Sequence, residues 1–345
     1  MGVSTVPFGI HSYGRQAYIY KLTNSLGWTV ELTNLGAAVR AVMIPGRDGR
    51  LTDVAVCHGS FEDCITNPHD LGAVCGRIYG RLSKPGFMLE GRYYEVPATR
   101  GRGLPMAVKP FSCSIWKTGV TSGGAVTFSR LSPGGEQGLP GKLDVSVSYT
   151  WDDDGKLSID YSARSDAVTA VDLTNNLFVN LGGAGSGLIF GHELYIAADS
   201  HMPTDSDLCV TGEILPVKGA PLDFNKPDAI EGRVNGEYWF VDKDDIGGPD
   251  IFPERKVRLR ARASCPTTGL SMTMYTDMPA IRLDTGASLL SYLGKGGTPM
   301  VTNGALCLAA GLPPDAVNRR YSPSPFLRPG EIYSQHTEYV FGTDS

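Results

Sequence analysis

Apolar and polar residues alternate in short runs along most of this chain. From Ala17 to Met43 the runs AYIYKLT, WTVELT and AAVRAVMI are separated by Asn24-Ser25 and Asn34-Leu35-Gly36, the pattern of strands joined by tight turns. The pattern continues through GRLSKPGFMLEGRYYEV, AVTFSRL, ELYIAAD, RKVRLRARAS, SMTMYTD and TEYVF. LDVSVSYTW and KLSIDYSAR, joined by Asp152-Asp153-Asp154-Gly155, predict a hairpin with a polar tip. No window sustains a helical period, and neither a repeat nor an interdomain linker is present. The expectation is therefore an all-β chain, with residues 1–345 forming a single large antiparallel β-sandwich domain. Residues 242–255, DKDDIGGPDIFPER, are read as a mobile acidic loop.

Composition supports this and narrows the class. The 43 glycines and 23 prolines fit many turns between short strands. A net charge of −5 argues against a broad nucleic-acid surface. Seven cysteines, at 57, 64, 75, 113, 209, 265 and 307, form no C-x-x-C pair and read as reduced, mostly buried thiols, not a disulfide frame or zinc site. No stretch approaches the roughly 18 apolar residues of a membrane span, and the N-terminus lacks a leader pattern. Val6 breaks the myristoylation motif that Met1-Gly2 would open, and Thr343-Asp344-Ser345 is not a peroxisomal address. A soluble, cytoplasmic protein without nucleic-acid or membrane partners is expected.

Several motifs read as ordinary structure. Thr99-Arg100-Gly101-Arg102-Gly103-Leu104-Pro105 has glycines but no βαβ unit around them, so it is read as a loop. Gly294-Lys295-Gly296-Gly297 lacks phosphate-loop spacing and is read as a turn. The six histidines include no H-x-x-x-H pair, which argues against a metal site, and Asp152–Asp154 lack calcium-loop spacing.

The run ALCLAAGLPPDAVN, residues 305–318, carries more information. An apolar strand pattern ends in a Gly-Leu-Pro-Pro-Asp turn, placing Ala309 and Ala310 where a strand opens into a loop. With Pro323-Ser324-Pro325 and Leu327-Arg328-Pro329-Gly330-Glu331, this block resembles the C-terminal block of aldose 1-epimerases (mutarotases). Other blocks resemble the same family: Gly76-Arg77-Ile78-Tyr79-Gly80-Arg81-Leu82, Ser132-Pro133-Gly134-Gly135-Glu136-Gln137-Gly138-Leu139-Pro140-Gly141, Thr174-Asn175-Asn176 through Asn180-Leu181, and Leu222-Asp223-Phe224.

The resemblance implies the mutarotase-like supersandwich and a sugar-ring chemistry in which an acid protonates the ring oxygen while a base takes the anomeric hydroxyl proton. It needs no cofactor. Carried over by position, the family's acid histidine becomes Asn176, its base glutamate becomes Ala309, and the histidine of its LHGG loop becomes Pro105. An amide and a methyl transfer no protons. The asparagine of the NRI turn becomes Gly80, beside a retained Arg81; the aspartate of the DHNF block becomes Glu237; a glutamine becomes Arg282.

Three functions follow. The first, which the altered positions favour, is a catalytically silent relative holding a monosaccharide or sugar phosphate through Arg81, Asn176, Glu237 and Arg282, with Tyr238 and Trp239 as stacking surfaces. Two arginines would suit a phosphate, unless neighbouring carboxylates neutralise them. The second is an active epimerase with relocated groups, Glu237 as base and a histidine such as His201 as acid. The third is a protein-interaction module using the loop around Ile251-Phe252-Pro253, its partner unspecified.

Overall fold

The alternation in the sequence becomes three large antiparallel sheets in the computed structural model, which describes residues 2–11, 14–97, 111–120, 124–246, 256–290, 292–320 and 323–344. The first sheet takes five strands in chain order, Gly2–Ile10, Gln16–Thr23, Thr29–Thr33, Ala38–Pro45 and Leu51–Asp53. The second has nine strands, ordered Asp228–Ala229, Glu193–Ile196, Arg258–Ser264, Leu270–Thr276, Tyr333–Thr343, Lys156–Ser165, Leu143–Trp151, Ala125–Ser132 and Lys117–Val120. The third has six: Phe178–Val179, Leu306–Gly311, Ala280–Asp284, Glu237–Val241, Ser200–Met202 and Leu215–Pro216.

The expected hairpin forms, with Trp151 opposite Leu157 and Leu143 opposite Ser165. Asp152 closes its tip, where Oδ1 accepts from the backbone N–H groups of Asp154 and Lys156, each at 3.0 Å. Alternate residues of the pair (Val145, Val147, Tyr149; Leu157, Ile159, Tyr161) turn inward. They share one apolar cluster with Phe240, Ile281, Leu283, Leu308 and Ala310 of the six-stranded sheet and Val30, Leu32 and Val42 of the five-stranded one. Tyr339 ties the nine-stranded to the six-stranded sheet by donating to the Leu308 carbonyl at 2.7 Å.

Some elements were not legible in the pattern. Gly2–Ile10 is an edge strand whose register shifts between Pro7 and Gly9, where an internal proline and glycine blur the alternation. Helix Phe61–Thr66 is too short to show a period and is capped by Ser60, whose Oγ accepts from the Asp63 N–H at 3.0 Å. Of the acidic segment, residues 242–246 are described and are ordered by local contacts. Lys243–Ile246 forms a helical turn, and Asp242 and Asp245 lie 3.0 and 2.9 Å from the buried Arg260 guanidinium. The rest of that segment, with Ile251-Phe252-Pro253, lies outside the described residues, as does the loop at Thr99–Pro105.

All seven cysteines are unbridged thiols and five are buried. Among the described residues no helix is long and apolar enough to cross a membrane.

Candidate functional site

Strand alternation gives the six-stranded sheet two unlike faces. Directly paired residues of neighbouring strands share a face, and the register sets Glu237 opposite Asp284, Trp239 opposite Arg282, and Arg282 opposite Ala309. Cys307 and Phe178 complete this row. The intervening residues Phe240, Ile281, Leu283 and Leu308 point into the main core. The first face forms one side of a cavity that opens to solvent. The wall facing it comes from residues 68–81, with His69, Asp70, Tyr79, Gly80 and Arg81, and from Asn176.

The wall at residues 76–81 is anchored from behind by Arg77. Its fully buried guanidinium donates to Ser132 Oγ, Thr169 Oγ1 and the carbonyls of Ser132, Pro133, Pro140 and Gly141 at 2.8–3.3 Å. Gln137 completes the clasp, accepting from the Arg77 N–H and donating to the Gly76 carbonyl, both at 2.6 Å. The glycine-rich block 132–141 therefore supports the cavity wall. Gly80 sits at φ +84°, and a Cβ there would come within 3.1 Å of Pro314 Cβ, a position that favours glycine.

At the centre of the cavity floor lies Arg282. Its Nε is 3.2 Å from Glu237 Oε2, and a terminal nitrogen pairs with Asp284. Its other nitrogen donates to Tyr79 Oη and, at 3.1 Å, to Asn176 Oδ1. Tyr79 donates to the same Asn176 oxygen at 2.9 Å, and Trp239 Nε1 donates to Glu237 Oε1 at 3.2 Å. Burial works against the charge on Arg282, but Glu237, Tyr79 and Asp284 outweigh it and push its pKa further above the usual range. Burial raises the Asp284 carboxyl; Arg282 opposes this and the Glu237 charge adds to it. Burial likewise raises Tyr79, with Arg282 opposing, and pushes the Cys307 thiol up to about 12.

Arg81, Asn176, Glu237 and Arg282, drawn from four separated stretches, all line this one cavity. Their chemistry differs from expectation. The prospect of two arginines free for a phosphate is not met, because Arg282 is held between two carboxylates. Arg81 makes no hydrogen bond or ion pair among the described residues. Asn176 spends its oxygen on Tyr79 and Arg282 and directs its Nδ2 toward the His69 carbonyl at 3.5 Å.

Register overturns two further expectations. His201 pairs with Phe240, not Trp239, so it lies on the face away from the cavity and cannot act as an acid there. Tyr238 shares that far face: it packs against the main core, and its hydroxyl accepts from the Asn235 N–H at 3.1 Å. Trp239 alone of the pair reaches the cavity. Ala309 and Ala310 come just before the end of Leu306–Gly311, near where the strand opens into its loop, and Ala309 is fully buried. Pro105 lies outside the described residues.

Asp284, Tyr79 and His69 were missed. Asp284 had a signal: in Ala280–Asp284, two-residue alternation puts Arg282 and Asp284 on one face. His69 is the one histidine among the described lining residues, with Nδ1 3.4 Å from Ser288 Oγ.

The family model described as Aldose 1-epimerase matches residues 18–340. Galactose mutarotase of Sus scrofa is 35% identical over 318 residues, 90% of each chain. Aldose 1-epimerase of Escherichia coli (strain K12) is 29% identical over 339 residues, 95% of this chain and 96% of that one. Among solved structures, the GalM/aldose epimerase homologue from C. elegans superposes with a TM-score of 0.83 at 21% identity, covering 99% of this chain and 100% of the other. Galactose 1-epimerase from Lactobacillus acidophilus NCFM gives 0.81 at 20% identity, covering 100% and 99%. The fold is the mutarotase-like β-sandwich of these structures.

Proposed function

The chain belongs to the aldose 1-epimerase family, and on that premise we propose that its cavity binds an aldose. One observation carries the reading: Arg81, Asn176, Glu237 and Arg282, far apart in sequence and each matched by resemblance to a sugar contact, line a single cavity. Trp239 supplies an aromatic surface beside them, and the carboxylates of Glu237 and Asp284 are acceptors suited to hydroxyl groups. The carboxylates balancing Arg282 favour a neutral sugar over a sugar phosphate.

Proton transfer by the family's own positions is absent, since Asn176 does not titrate and Ala309 is a buried methyl. Those two positions alone favour a silent binder. The names of relatives at about this identity, and the paired carboxylates in the cavity, favour a second reading: an active aldose 1-epimerase with relocated groups.

Isothermal titration with α-galactose and α-glucose, followed by polarimetry of each freshly dissolved sugar over a protein concentration series, tests both. Saturable binding weakened by Arg81→Ala supports the aldose site, and its absence for both sugars sinks it. A rotation rate rising in proportion to protein separates the active reading from the silent one.

A further inference from the structure

Glu237 and Asp284 are direct partners in the antiparallel pairing of Glu237–Val241 with Ala280–Asp284. Their side chains stand together on the cavity face, 15% and 14% exposed. One guanidinium, Arg282, contacts both. Each carboxyl is fixed by a second donor: Trp239 Nε1 to Glu237 at 3.2 Å, and the Gly286 N–H to Asp284 Oδ1 at 2.8 Å. Register and the shared guanidinium together hold two carboxyl groups on one side of the cavity. We infer that Glu237 and Asp284 form a bifunctional proton-transfer pair that opens the ring of the bound aldose, replacing the acid and base missing from positions 176 and 309.

The chemistry suits side-by-side groups. The anomeric hydroxyl oxygen and the ring oxygen of an aldose are bonded to the same carbon, so an adjacent donor and acceptor reach both. The Asp284 carboxylic acid gives its proton to the ring oxygen as the bond from that oxygen to the anomeric carbon breaks. The Glu237 carboxylate takes the hydroxyl proton, and the O–H electron pair becomes the second bond of the aldehyde carbonyl. The open-chain sugar then sits beside a charged Asp284 and a protonated Glu237. Rotation of the carbonyl by half a turn and reversal of both transfers closes the ring on its other face and restores the starting pair, with nothing consumed. Burial of Asp284 favours its protonated form, as the donor role requires. Arg282 remains charged throughout and keeps the two carboxyls in place.

This inference rests on the proposal that the cavity binds an aldose, and one experiment separates the two. Mutarotation of α-galactose and α-glucose is followed by polarimetry for the wild type, Asp284→Asn and Glu237→Gln, with sugar affinity measured on the same preparations by titration calorimetry. The expected result is a wild-type rate above buffer and proportional to protein. Each substitution should lower it by about 100-fold or more, while affinity changes by less than about tenfold. Either substitution alone suffices if the other fails to fold. A wild type that binds sugar but leaves the buffer rate unchanged overturns the pair and spares the binding site. A wild type that binds neither sugar overturns both. Wild-type activity in a folded Asp284→Asn or Glu237→Gln protein overturns the assignment of that residue.

Discussion

Arg282 faces Ala309 directly across the pairing of Ala280–Asp284 with Leu306–Gly311, with both side chains on the cavity face. The longest side chain in the row thus stands beside one of the shortest, and its guanidinium is already paired with Glu237 and Asp284. Resemblance gives the family a glutamine and a glutamate at these two positions. The two differences are adjacent and are best treated as one coupled exchange.

Restoring the family's acid and base alone should accordingly fail. In Ala309→Glu/Asn176→His, the new carboxylate lands beside Arg282 and is drawn into its ion-pair network, so it does not serve as a second base. The mutarotation rate of that double variant is expected not to exceed the wild-type rate, whereas adding Arg282→Gln should raise it roughly tenfold or more. Polarimetry on the three proteins checks this.

Ligand charge should matter in a defined direction. Arg282 is already paired with Glu237 and Asp284, and Asp70 also lines the cavity. A phosphate there meets like charge at short range. Glucose is expected to bind at least about tenfold more tightly than its 6-phosphate, a difference of roughly 1.4 kcal/mol. Competition calorimetry reads this directly, and the reverse preference would point to Arg81 as a dominant anion contact.

His192 should set an acid limit on stability. It is buried, and its Nε2 accepts from the Leu181 N–H at 3.0 Å, which requires the neutral ring. Burial lowers its pKa from 6.5 to about 4. The unfolded chain therefore takes up this proton first, so the stabilisation is complete above pH 6.5 and is lost as pH falls toward 4. The loss amounts to about 3 kcal/mol at the low end. Urea unfolding from pH 7.5 to 4.5 is expected to show this slope, and His192→Gln should flatten it while lowering stability at neutral pH.

Arg77→Met should destabilise the fold and loosen the cavity wall together. The substitution leaves the buried Ser132 carbonyl and the part-buried carbonyls of Pro133, Pro140 and Gly141 without their donor, at a cost on the order of 3 kcal/mol. Denaturant titration gives the stability change. Sugar affinity should fall in the same protein, because Gly76, Ile78 and Tyr79 belong to the wall that the clasp holds.

The amino-acid sequence by itself determined the strands, most of the turns, the hairpin at Asp152–Gly155 and the family, since alternation and turn residues are local properties. It also located Arg81, Asn176, Glu237 and Arg282. What it left open was which side chains meet. His201 and Glu237 were a plausible acid and base on paper, but a difference of one residue in strand phase puts them on opposite faces of the sheet. Two free arginines were equally plausible until register brought Asp284 beside Glu237 and set Arg282 between them. Strand pairing joins residues about 50 positions apart and fixes which face each one takes. Charge balance and proton chemistry in this cavity depend on those pairings, so only the tertiary structure decided them.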